Sequence, residues 1–506
     1  MDPVFTKDDI RVIRKRGLDT DRIKKQLEIF SRGTFYHRLD RPATVGDGIL
    51  SLPAKAGRDL IPIYEAQCRK GRIMKFVPAS GAASRMFKDW CSLSPEPAAA
   101  PDMLEAIGRN LKRFAFFPDL EKKLSRSGLD LQELLDLGEY GTILDFILNE
   151  RGLNYLNLPK ALLKFHWYPD GNRTSMEEHL VEAAMYVRDG KGVCRIHFTV
   201  SAEHKDLFAA CLERDAKKYE ELFRVRYETG VSVQDSSTDT VALDKENRLL
   251  RDASGTLVFR PGGHGSLLKN LNALRGDIVM IKNIDNIPPD RMKEKTVVYK
   301  KLLGGYLIRL QDRINGFLER LSGREIDEGD LAEMESFCTR DLNIVFRKDF
   351  RESPAALRGK SIFAMLNRPL RVCGMVRNEG EPGGGPFWVE EEDGTRSLQI
   401  VEEAQVDPSS DRQKRIWASS THFNPVDLAC ALRDFRGDPF DLEKFVDPRT
   451  YFISTKPQNG LEIKALEHPG LWNGGMARWN TVFIETPIET FNPVKSVEDL
   501  LRPQHQ

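Results

Sequence analysis

Residues Thr256–Ile287 read TLVFRPGGHGSLLKNLNALRGDIVMIKNIDNI, and the fold expected of this 506-residue chain turns on their parsing. The apolar run Leu257-Val258-Phe259 has strand character. At Pro261-Gly262-Gly263-His264-Gly265 the glycines permit positive φ and let the backbone approach a flat ligand closely. Leu267, Leu268, Leu271 and Leu274 then share one helical face. Asp277 to Ile284 is mostly apolar, the pattern of a strand covered on both sides of a parallel sheet, and it runs out into Asp285-Asn286. Strand, turn, helix and strand predict a βαβ unit. In open α/β sheets ligands bind beyond the carboxyl ends of strands, so Asp285 is placed to hold a metal or a ribose. A plain glycine turn and a helix cap would account for either half alone; the two halves together single the stretch out.

Upstream the alternation continues. Ile73–Val77, Cys194–Val200 and Val231–Gln234 read as strands, and Ala202–Phe223 as a charged helix. Thr174–Tyr186 reads as a helix capped by Thr174 or Ser175, with Glu177 or Glu178 completing a capping box. The first strand runs into Pro78-Ala79-Ser80-Gly81-Ala82-Ala83-Ser84-Arg85-Met86, a turn of small residues expected to open a helix. Exposed backbone N–H groups at such a turn suit phosphate, and Arg85 would add a clamp on its oxygens. Tight strand–helix packing is the other reading of the same turn. Residues 7–31 read as one helix, 92–155 as several short helices, and Arg291–Arg320 as a charged helix. The chain is expected to form an N-terminal helical cap (1–70), a helical insertion (92–155) and a main α/β domain (71–91 and 156–506) with a doubly wound mixed sheet. His166, His179, His197 and His204 read as structural, because no H-x-x-x-H spacing supports zinc.

Lys plus Arg and Asp plus Glu both number 76, so no global field attracts nucleic acid or an anionic membrane, and any anion site must be local. Seven cysteines without C-x-x-C spacing point to reduced thiols in the cytoplasm. The amino terminus is charged and lacks the apolar core of a signal peptide, and no apolar run approaches the ~20 residues of a membrane span.

In order along the chain, several short motifs resemble those of the UDP-sugar pyrophosphorylase family, nucleotidyltransferases of GT-A-like fold. Ser80–Met86 is similar to the G-G-x-G-T-R-[LM] signature, with only Gly81 of its three glycines present. Lys160 stands in a P-K-x-L segment, Gln234 at a position that reads a base or sugar, and Gly263, His264 and Gly265 in a P-x-G-x-G turn. Asp285 falls on the Mg²⁺-binding D-N, Glu402 and Glu403 on a sugar-facing strand end, His422 and Asn424 in an H-F-N segment, and Lys495 in F-x-P-V-K. The overall pattern also looks like domain of unknown function 4301. The resemblance implies a sugar-1-phosphate nucleotidyltransferase, with UTP the expected nucleotide and Mg²⁺ on Asp285. Arg85, Lys160 and Lys495 would act on phosphates. Ser80, Gly81, Ala82, Gln234, Gly263, His264 and Gly265 would hold the nucleotide, and Glu402, Glu403, His422 and Asn424 the sugar. A nucleotide-sugar-dependent glycosyltransferase and a non-catalytic nucleotide-sugar-binding module are the alternatives, and oligomeric state is left open.

Overall fold

Two units divide the chain, each built from three separated segments. The first comprises Met1–Tyr64, Gln234–Met280 and Leu302–Thr486, the second Glu65–Val233, Ile281–Lys301 and Pro487–Gln506. The computed structural model describes residues 5–53, 55–93, 101–323, 326–380, 383–458 and 461–506.

In the second unit, strands Ile73–Pro78, Val193–Val200 and Arg226–Val233 run parallel, with Lys75 opposite Ile196 and Val193 opposite Arg226. Both faces of the first two are buried, which explains why their sequences lack clean alternation. Helix Ser175–Tyr186 packs on Val193–Val200; Thr174 caps it and Glu177 closes the capping box as expected. Helices Pro101–Asn110, Phe117–Arg126, Leu131–Asp136 and Tyr140–Leu148 enclose a core of Trp90, Phe114, Phe116 and Phe146. Val494, Val497 and Leu500 insert into that core and anchor the last segment of the unit. Each such apolar side chain contributes roughly 1.5–3 kcal/mol on burial.

In the first unit, Leu370–Arg377 runs parallel to Asn480–Glu485, which pairs in parallel with Gly48–Leu50; Asp427–Ala431 lies antiparallel on the other side of Leu370–Arg377. A separate four-stranded antiparallel sheet orders Phe259–Arg260, Thr240–Leu243, Leu461–Glu467 and Phe452–Gln458. Ile13, Leu18, Ile23 and Phe30 of the N-terminal helices cover it. The protein is thus mixed α/β with mainly parallel central strands.

Three expectations are corrected. Thr256–Ile287 is not one βαβ unit: its first strand shrinks to Phe259–Arg260 and pairs antiparallel with Thr240–Val241, whereas Ile278–Lys282 belongs to another sheet. The helix expected over 7–31 is two, Lys7–Lys15 and Thr20–Arg32. Gly17 turns the chain at φ +73°, and the Asp19 carboxylate caps the second helix by accepting from Arg22 N–H at 2.7 Å. The small-residue turn opens only a single 3₁₀ turn, Ala83–Arg85, before helix Lys88–Leu93. Among the described residues no helix is long and apolar enough to cross a membrane. All seven cysteines are free thiols.

Candidate active site

The small-residue turn of the second unit works as a clasp. Ala79 N–H donates to Thr199 O at 2.8 Å, Ala83 N–H to Leu158 O at 3.3 Å, and Lys160 N–H to Gly81 O at 3.0 Å. Because Ser80, Gly81 and Ala82 carry little side chain, segment 158–160 closes directly on the turn, with Ala82 bridged to Pro159. Nothing described lies within 4 Å of where a Cβ on Gly81 would stand. Its backbone is therefore open on that side. Ile284 N–H donates to Pro78 O at 3.1 Å, which brings the end of the buried Ile278–Lys282 run alongside.

These contacts set Lys160 against Asp285, Nζ to Oδ2 at 3.1 Å. A second ammonium reaches the same oxygen: Lys495 Nζ lies 3.3 Å away. The last segment delivers it by pairing with the exit of the strand. Val494 N–H donates to Asp285 O at 3.0 Å, Asn492 N–H to Asn286 Oδ1 at 2.9 Å, and Asn286 bridges Pro493. Lys160 also donates to Val494 O at 2.9 Å, locking both lysines into one arrangement. Burial raises the Asp285 carboxyl, and the two ammonium groups more than reverse it, leaving it below the usual carboxylate range. Burial pushes the Lys160 ammonium down, and Asp285 offsets part of that. Arg85 is exposed, and its positive field reaches Lys160. Two lysines thus share one carboxylate, with a guanidinium in the same field.

A second layer of the unit fixes that arrangement. His179 Nε2 donates to Ile284 O, one residue before Asp285, at 3.2 Å. Burial, reinforced by Lys75, keeps that ring neutral. Lys75 and Lys282, both fully buried, hold the two oxygens of Glu182 at 2.5 and 2.7 Å. His166 stacks on His505 with ring centroids 5.3 Å apart, and its Nδ1 meets Glu178 Oε1 at 2.7 Å, tying down the segment that carries Lys495. The charged network was not legible in the sequence, where Lys75 and Lys282 are single polar interruptions of apolar strands.

The remaining expected residues belong to the first unit. Leu471 N–H donates to His264 Nδ1 at 3.2 Å, which leaves Nε2 to face Glu402 Oε1 at 3.3 Å as the donor. Trp472 stacks on that ring at 4.3 Å. Burial raises the Glu402 carboxyl and its bond to His264 lowers it further than that. The glycine turn is filled by its own chain. A Cβ on Gly262 would meet the His468 ring at 2.2 Å, on Gly263 the Glu467 carboxylate at 2.6 Å, and on Gly265 Pro469 O at 2.2 Å. Packing against residues 467–469 accounts for their want of side chains. Asn424 is held in a turn, Oδ1 accepting from Val426 N–H at 3.1 Å. His422 Nε2 lies 3.4 Å from Glu485, and Glu403 is exposed. Among the described residues the buried Gln234 Nε2 has no partner, which leaves it a donor suited to a ligand.

A family model described as a domain of unknown function, DUF4301, matches residues 6–506. No curated protein matches the sequence. Among solved structures, a uridine diphosphate N-acetylglucosamine pyrophosphorylase from Trypanosoma brucei in complex with an inhibitor aligns with 97% of this chain and 79% of its own at 13% identity and a TM-score of 0.50. A UDP-glucose pyrophosphorylase mutant from Leishmania major in complex with UDP-glucose aligns with 98% of this chain and 79% of its own at 13% identity and a TM-score of 0.43. A UDP-glucose phosphorylase from Trypanosoma brucei aligns with 98% and 77% at 12% identity and a TM-score of 0.45. At such identities the likeness is one of fold.

Proposed function

The chain belongs to the DUF4301 family, and from its site we propose a nucleotidyltransferase of GT-A-like architecture that joins a sugar-1-phosphate to a nucleoside triphosphate. The observation that carries this reading is the pair of ammonium groups, Lys160 and Lys495, on one oxygen of Asp285. An oxygen of the sugar phosphate attacks the α-phosphorus, the bond from that phosphorus to the bridging oxygen breaks, and the electron pair leaves on pyrophosphate. No covalent nucleophile of the protein is needed; the work is positioning and charge stabilisation. Lys160 and Lys495 neutralise the α-phosphate and the incoming phosphate, Arg85 holds the leaving pyrophosphate, and the open backbone at Ser80, Gly81 and Ala82 receives phosphate oxygens.

Asp285 is a single carboxylate, and among the described residues no three His, Cys, Asp or Glu side chains gather to hold a metal. That donor set fits Mg²⁺, which takes one or two carboxylates and completes its shell with water and substrate phosphate. When bound there it would offset phosphate charge. Within the first unit, the Glu402–His264 pair and the Gln234 amide are polar groups of the kind that meet sugar hydroxyls and a base. UTP is the first nucleotide to test, since the structure of TM-score 0.50 is named for a UDP-sugar.

The test is pyrophosphate release from each nucleoside triphosphate with a panel of sugar-1-phosphates and Mg²⁺. Release should require both substrates and fall on the order of 10²–10³-fold in Lys495→Met. Nucleoside diphosphate released from a nucleotide sugar, with no pyrophosphate in the first assay, would replace the reading with a glycosyltransferase.

A further inference from the structure

A cavity of about 500 Å³ in the first unit is lined by Arg22, Lys25, Ser266, Lys269, Lys444 and Arg478, and among the described residues Glu443 is the only carboxylate in its wall. Two of the cations are already engaged: Lys269 lies 2.6 Å from Asp235, and Lys444 lies 3.7 Å from Asp441. Lys25 and Arg478 form no ion pair among the described residues, and Arg22 reaches only Ser237 O, at 3.5 Å. Among the described residues Arg22, Lys25 and Arg478 form no ion pair with a carboxylate, though the field of Arg478 reaches Asp447, and all three line one concavity. Surface cations of this kind are ordinarily just solvated, and two features set these apart.

The first is Ser266. It is 2% exposed, stands in the cavity wall, and its Oγ has no hydrogen-bond partner among the described residues. A buried hydroxyl left unpaired is costly, and a ligand oxygen would satisfy it. The second is the fixed wall around His468. Its Nε2 donates to Thr238 O at 2.7 Å, burial holds the ring below its usual range, and its Nδ1 therefore accepts from the Tyr451 hydroxyl at 3.0 Å, which sets its rotamer. A hydrogen-bonded polar wall and exposed cations lining one cavity make a small-molecule site in form, and the volume lies in the usual range for one.

We propose that this cavity binds a compact polyphosphorylated small molecule. The three cations outside ion pairs come from two separate stretches, residues 22–25 and 478, so an anion presenting oxygens in several directions can meet all of them. A tetrahedral polyphosphate does this; a planar carboxylate matches one guanidinium at a time. The adjoining Gly265 supplies wall only, and Lys160, Asp285 and Lys495 belong to the other unit.

Isothermal titration of the full chain with inorganic tripolyphosphate, in EDTA and at two salt concentrations, tests this, with citrate as a non-phosphate polyanion. Wild type should bind tripolyphosphate with an affinity that falls as salt rises. Lys25→Glu and Arg478→Glu, both at exposed positions, should each weaken binding at least 10-fold; Ser266→Ala should weaken it several-fold; Lys495→Met should retain the binding that the two charge reversals remove. Absence of binding, equal binding of citrate, or loss in Lys495→Met with retention in both charge reversals would overturn the proposal.

Discussion

Replacing each of the two lysines on Asp285 by methionine should separate stability from chemistry. Both ammonium groups touch the same oxygen, at 3.1 and 3.3 Å, yet the Lys160 side chain is 9% exposed and that of Lys495 54%. Losing one partner of a buried pair costs about 3–5 kcal/mol when the other charge is stranded. In Lys160→Met the carboxylate keeps Lys495, while Val494 O loses its donor, so the expected loss is about 2–3 kcal/mol. In Lys495→Met the buried pair survives and only an exposed cation goes, so the loss should stay within about 1 kcal/mol. Both variants should lose on the order of 10²–10³ in kcat, since each removes charge from the same phosphate-handling group. Urea unfolding and pyrophosphate release on the same preparations provide the two readouts. If Lys495→Met lost as much stability as Lys160→Met, or Lys160→Met unfolded at the wild-type midpoint, the buried-pair reasoning would be refuted.

Asp285→Asn should lose at least about 10²-fold in activity at every Mg²⁺ concentration and destabilise by about 3 kcal/mol, because two ammonium groups are left facing each other; wild-type Mg²⁺ dependence in this variant would remove the metal assignment. Acid should destabilise the fold early. Burial holds His37 and His197 down at about 4 and His505 at about 3, so below about 6.5 the unfolded chain binds protons that the folded one refuses. Their contribution is complete above pH 6.5 and falls by about 1.4 kcal/mol per histidine per unit as pH drops toward those values, so urea midpoints constant between pH 6.5 and 5 would contradict it. Gly265→Ala should cost about 3 kcal/mol against Pro469 O, whereas Gly81→Ala, which meets nothing within 4 Å, should stay within about 0.5 kcal/mol by thermal unfolding. Glu402→Gln should raise KM for the sugar phosphate more than it lowers kcat, and an unchanged KM would take His264 and Glu402 out of sugar recognition.

Features specified by neighbouring residues were legible in the sequence. Thr174 and Glu177 announce their helix start three residues apart, and the strands at Ile73 and Cys194 announce themselves by apolar runs. Lys160, Asp285 and Lys495 were legible only through the order of motifs, since no local pattern tells a solvated lysine from one on a buried carboxylate. The parsing of Thr256–Ile287 failed because strand pairing is a tertiary choice: Phe259 takes Val241 as its partner, and nothing within the stretch encodes that. The same limit applies at the glycines. A close approach was real, but what approaches is residues 467–469, two hundred positions along the chain.

The clasp around Asp285 has a kinetic side. Its three bonds close loops of 125, 210 and 334 residues, and all involve either Lys160 or the segment after Pro487. Loop-closure entropy must be met before such remote contacts return anything, so they form late. During synthesis residues 65–233 can pair their strands well before the second lysine has been made. Refolding followed by strand formation should therefore run ahead of refolding followed by catalysis, and the interval between them belongs to the last twenty residues finding Asn286.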